Sequence, residues 1–88
     1  MEKPFNLQVG AALREARHAR VWTQARLADN AGLSPNFIAR VERGEMGVSL
    51  FVANRMCRAL GIELRALVGR GGETRSGVVR RAARRRGA

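Results

Sequence analysis

The chain has 88 residues, 45% of them hydrophobic, which is enough for one small core and too little for two. Basic residues outnumber acidic ones 17 to 7, a formal net charge of +10 that points to a polyanionic partner. One cysteine, Cys57, and one histidine, His18, exclude a disulfide framework, a cysteine-based zinc site and imidazole clusters, so no metal or cofactor is expected.

Lys3 is the only lysine, and the other 16 bases are arginine, whose flat fork of donors suits phosphates and base edges. Few aromatics and no tyrosine argue against a stacking platform for single strands. No apolar run approaches the roughly 18 residues of a membrane span. Met1 to Asn6 does not open like a secretion signal. No membrane association is therefore expected, and the cytoplasm is the expected compartment. No catalytic triad, paired carboxylate site or phosphate loop is visible, so an enzyme is not expected.

The charge divides the chain in two. Residues 1–70 carry a net +5, and residues 71–88 carry another +5 in far less length. We read 1–70 as the folded domain and 71–88 as an Arg-rich arm. The arm has three readings: a disordered solubilising end, a strap along the nucleic-acid backbone, or a segment that binds a small protein partner. The backbone strap is preferred for its six arginines.

In chain order, Leu7, Val9, Leu13 and Ala16 are spaced for a helix from about Asn6 to Arg20. Thr23 is a good N-cap for a short helix, Gln24 to Ala31, which Gly32 ends. Trp22 and Leu27 have the spacing of a hydrophobic staple. Ser34 caps the next helix, and Pro35 stands at its first position, where a missing N–H costs nothing. That helix runs to Arg43 and stops at Gly44. Ser49 caps a fourth helix to Leu60, with Gly61 as its stop. Ile62 to Val68 makes a short fifth helix. No period-2 run with hairpin chemistry is present, so the expected fold class is all-α.

The segment Thr23 to Gly44 has two short helices and a tight turn at Gly32, a helix-turn-helix pattern. Leu27, Ala28 and Ala31 face Ile38 and Val41, which leaves Asn36, Arg40 and Arg43 on the outward side of the second helix. Asparagine can pair bidentately with adenine and arginine with guanine in a major groove. Gln24 stands at a helix N-terminus, where backbone N–H groups favour a phosphate.

Gly10 to Val68 resembles the lambda-repressor-like, Cro/cI-type (XRE-like) helix-turn-helix domain. The resemblance rests on Leu13-Arg14, Arg17, Thr23-Gln24, Leu27-Ala28, Gly32-Leu33-Ser34, Ile38, Val41-Glu42-Arg43-Gly44, Ser49-Leu50, Ala59-Leu60-Gly61-Ile62, Leu64 and Leu67. It implies a five-helix bundle that binds double-stranded DNA as a homodimer on an inverted repeat. It implies phosphate contacts from Gln24 and Arg43, to which Arg26, Ser34 and Arg14 are added as candidates. It implies base contacts from Pro35, Asn36, Phe37 and Arg40, Pro35 offering only apolar contact. Arg17 and Glu42 fall where the family has an ion pair between the first helix and the recognition helix. Dimer contacts are expected around Ile62, Leu64, Leu67 and Val68. The alternative function is an antitoxin-type autoregulator whose tail binds a partner protein.

Some residues depart from the family pattern. Arg26 replaces an acid, and Val21 replaces a glycine, so the turn after the first helix is expected to differ. Ala53 and Asn54 stand where leucines pack, so two outcomes are open: a thinner core at the fourth helix, or compensation by Leu50, Phe51 and Met56. Phe37 has two open roles, contact with a thymine methyl or packing beside Val41. Trp22 is read as a core staple, Cys57 as a buried thiol, and His18, Arg55 and Arg58 as solvated, Arg55 being also the better candidate for ion pairs across a dimer.

Overall fold

A computed structural model describes residues 2–68, with side chains from residue 4 onward. The arm at 71–88 lies outside the described residues. The elements are α1 (Glu2–Ala19), α2 (Gln24–Ala31), α3 (Pro35–Glu42), α4 (Leu50–Leu60) and α5 (Arg65–Val68). The described residues contain no strand, in keeping with the all-α expectation.

Three N-caps form as their sequences require. The hydroxyl oxygens of Thr23, Ser34 and Ser49 accept from the backbone N–H groups of Arg26, Phe37 and Val52 at 3.0, 3.1 and 3.1 Å. α1 begins four residues earlier than the spacing of apolar residues suggests. Pro4 does not stop it, because the first-turn N–H groups have no helical acceptor in any case.

Helices α1 to α4 end in one motif. The residue after a left-handed position sends its N–H back to a carbonyl five residues earlier. Trp22 reaches Arg17 at 3.1 Å, Leu33 reaches Ala28 at 2.8 Å, Glu45 reaches Arg40 at 3.0 Å and Ile62 reaches Cys57 at 3.0 Å. Gly32, Gly44 and Gly61 occupy three of the left-handed positions, and Val21, at φ 58°, occupies the fourth. The turn after α1 thus keeps the left-handed form although its glycine is replaced, which corrects the expectation that it differs. The same motif explains why α5 starts at Arg65 and not at Ile62. The Ile62 N–H is spent on closing α4, so the backbone can turn into a new helix only after it.

The core draws on every helix. Val9, Ala12 and Leu13 come from α1, Leu27, Ala28 and Ala31 from α2, Ile38 and Val41 from α3. Ala53, Met56, Cys57 and Leu60 come from α4, and Leu67 from α5. These positions follow the three- and four-residue spacing of one helix face. Two expectations need correction. Leu7 is 48% exposed, its side chain lying on Gly44 and not in the core. Of the three residues expected to fill out α4, only Met56 is buried; Leu50 and Phe51 are more than 70% exposed. Phe51 occupies an α4 position opposite Ala53 and Met56, so the helical period turns it to solvent, whereas Leu50 shares the Ala53 side but stands at the first position of the helix, on the rim of an apolar groove.

Gly10 positions α3. A β-carbon there would fall against the Val41 and Glu42 carbonyl oxygens, inside contact distance. Its absence lets the α1 backbone press directly on the end of α3, at the roughly 1 kcal/mol that glycine costs inside a helix.

Candidate nucleic-acid interface

The second helix of the helix-turn-helix, α3, is held from behind and open in front. Ile38 and Val41 are almost wholly buried, and Glu42 is 3% exposed. Pro35, Asn36 and Arg40 are exposed on the other side, and Arg43 follows them at the helix end. Phe37 is half-buried and packs against the core, so the structure realises its packing role.

One carboxylate fastens α3 to α1 and α2. Glu42 Oε2 accepts from Arg17 Nε at 2.6 Å, and Glu42 Oε1 accepts from Arg17 Nη2 at 2.9 Å and Gln24 Nε2 at 3.1 Å. Arg14 donates from Nη2 to the Glu42 carbonyl at 3.1 Å, with its Nε 3.6 Å from Oε1. Arg17 spends its remaining arm on the Trp22 carbonyl at 2.7 Å. Burial by itself would raise the Glu42 pKa. Hydrogen bonds from Arg17 and Gln24, and the charges of Arg17 and Arg14, outweigh it and hold the carboxyl below its ordinary value. Among the described residues no buried side-chain nitrogen or oxygen lacks a partner.

The residues expected at phosphates are placed as follows. Gln24 is half-buried and tied to Glu42, and Arg14 is half-exposed beside the end of α3. Ser34 is exposed; its oxygen accepts from Phe37, and its hydroxyl hydrogen can still be donated. Arg26 is exposed and lies over Trp22, its guanidinium 5.1 Å from the ring centroid. Arg20 covers the same ring at 4.8 Å and donates to the Leu60 carbonyl at 3.0 Å, which closes the end of α4.

Three features escaped the sequence reading. Arg55, read as solvated, donates to the Gly32 carbonyl at 3.2 Å and lies 5.8 Å from the Phe51 ring, so it ties α4 to the helix-turn-helix corner. Glu45 lies among the outward arginines: Arg43 Nε and Nη2 donate to it at 2.6 and 3.3 Å, and Arg40 Nε at 3.4 Å. The hydrogen bonds from Arg43 keep the Glu45 carboxyl below its ordinary pKa, so it is charged at neutral pH. Its place was available in principle, because a residue directly after a left-handed glycine closes back onto the helix five residues earlier. Gly10 carries no local signal at all.

On α5, Leu67 is 1% exposed and belongs to the core of the single chain. Ile62, Leu64 and Val68 are half-buried. An apolar groove beside them is lined by Phe5, Met46, Leu50, Leu64 and Val68. Cys57 is a buried thiol whose pKa burial raises. Among the described residues no group of His, Cys, Asp and Glu could hold a metal, and no helix is long and apolar enough to cross a membrane.

A small helical bundle with one helix presented in this way defines a helix-turn-helix protein. Residues 8–68 match the pattern of the Helix-turn-helix domain family, and the chain belongs to that family, in its Cro/cI (XRE) branch. It is 36% identical over 63 residues to the immunity repressor protein of Bacillus phage phi105, covering 72% of this chain and 44% of that protein. The chain therefore spans less than half the length of that relative. The fold matches the restriction-modification controller protein C.AhdI of Aeromonas hydrophila, with a TM-score of 0.69, 39% identity, and coverage of 70% of this chain and 94% of that one. It also matches the clp gene regulator ClgR of Corynebacterium glutamicum, with a TM-score of 0.74, 28% identity, and coverage of 96% and 92%. These relatives are a repressor, a controller protein and a gene regulator.

Proposed function

We propose that this protein is a sequence-specific transcription regulator that binds double-stranded DNA as a homodimer on an inverted repeat. α3 lies in the major groove, and half-sites are spaced about one helical turn apart. Asn36 and Arg40 read base edges, with apolar contact from Pro35 and from the exposed edge of Phe37. Gln24, Arg26, Ser34, Arg43 and Arg14 meet phosphates on either side. The net charge of +10 supplies the sequence-independent part of the affinity.

The observation that carries this reading is the exposure of Asn36 and Arg40 on a helix whose opposite side is buried and ion-paired. For the dimer, the support is the half-buried apolar set Ile62, Leu64 and Val68, with Leu67 packed beneath it.

Selection of bound fragments from random duplex DNA tests the reading, and the recovered repeat and its spacing identify the operator. Asn36→Ala or Arg40→Ala should each relax base preference at one or two positions per half-site, with a loss of about 1–3 kcal/mol on the operator. Equal weakening on every sequence would reduce both side chains to backbone contacts.

A further inference from the structure

Glu45 is the outlier among the helix ends. After α1, α2 and α4, the residue that closes the terminal motif is Trp22, Leu33 or Ile62, each packed against the core. After α3 the same position holds an exposed carboxylate. Its backbone N–H is bonded to the Arg40 carbonyl at 3.0 Å, and Gly44, at φ 74°, fixes the direction of the turn. The backbone turn thus places Glu45 on the outward side of α3, within reach of both Arg40 and Arg43.

The contacts there are asymmetric. Glu45 takes both Nε and Nη2 of Arg43, but only Nε of Arg40. Glu45 thus contacts Arg40 through Nε alone, at 3.4 Å, and makes no bond to its Nη groups. Those Nη groups can make paired hydrogen bonds to guanine O6 and N7. Arg43, by contrast, donates twice to the carboxylate, so part of its charge is offset. Phosphate neutralisation supplies almost all of the non-specific DNA affinity but only a share of the specific affinity, so this offset is a larger part of the hold on a wrong sequence.

From this geometry, which rests on the DNA-binding reading above, we infer that Glu45 is a specificity-determining positioning residue. It orients Arg40 toward a base and subtracts charge that would otherwise hold any duplex. Glu45→Gln keeps the shape and removes the charge. Its side chain is exposed, so the fold should be retained, and an unchanged melting temperature checks this.

The experiment compares binding to the selected operator and to a random-sequence duplex across a salt series. Glu45→Gln should raise affinity for the random duplex about three- to tenfold at low salt and steepen its log K against log salt slope by about 0.9, one added phosphate contact. Operator affinity should not rise in step, so the operator-to-random ratio should fall about three- to tenfold. In an Arg40→Ala background the effect of Glu45→Gln on base preference should vanish. An unchanged ratio, or an equal gain on both duplexes, would overturn the inference. So would a loss confined to the operator, or a change in base preference that survives in Arg40→Ala. Failure of the unmodified protein to prefer any duplex would instead overturn the DNA-binding reading itself.

Discussion

Glu42 has 1% of its side chain exposed and yet remains charged. A carboxylate that deep is tolerated because Arg17 and Gln24 satisfy its oxygens and Arg14 adds a second positive charge. Removing one partner of such a pair strands the other. Arg17→Met should destabilise the fold by about 3 kcal/mol, the low end for a broken buried pair, since Gln24 and Arg14 remain. Urea denaturation checks the size. The pH dependence has a fixed sign. Because the folded pKa of Glu42 is lowered, its contribution is complete above the ordinary carboxylate value of about 4.3 and is lost as the pH falls through the folded value. Arg17→Met should therefore shrink the acid-side loss of stability, and an unchanged acid profile would remove Glu42 from its cause. The ion pair was foreseen from the resemblance, but the enrolment of Gln24 and Arg14 was not. Those partners lie 18 and 28 residues away in the chain, and no local pattern relates them.

Helix ends are the elements' most legible feature. Each cap depends on a hydroxyl or a glycine within a few residues of the bond it makes. Thr23, Gly32, Ser34, Gly44, Ser49 and Gly61 accordingly stand where they were expected. Val21 shows the reverse: the motif imposed a left-handed backbone on a β-branched residue. That conformation costs about 1–2 kcal/mol in an L-residue, and Val21 is 89% exposed, so no burial offsets it. Val21→Gly should stabilise the protein by about 1 kcal/mol after the entropy lost by glycine, raising the melting temperature by roughly 4–8 °C in a domain of this size. No rise in a thermal melt would mean that the left-handed turn carries no strain. Arg20 and Arg26, which flank the Trp22 ring beside this turn, are exposed and lie within four residues of it in the chain.

For the whole molecule, the expected partner surface divides by depth. Leu67 lies inside the bundle, so a charge there would test folding and not assembly. Leu64 is half-buried and borders the apolar groove, which makes it the sharper probe. Leu64→Asp should give a folded monomer by sedimentation or light scattering, with operator binding at least tenfold weaker. A persistent dimer would place the interface elsewhere, for instance on the exposed Leu50 and Phe51.

The chain by itself determined the helices, most of their boundaries, the helix-turn-helix and the outward set Asn36, Arg40 and Arg43. Each of these depends on contacts a few residues apart, and on the sum of charge. The tertiary structure decided the rest: the close approach at Gly10, the exposure of Leu50 and Phe51, the burial of Leu67, and the side chains gathered around Glu42. Those outcomes depend on which faces of separate helices meet. Helical period restricts the choice of faces, but only packing of the assembled bundle makes it.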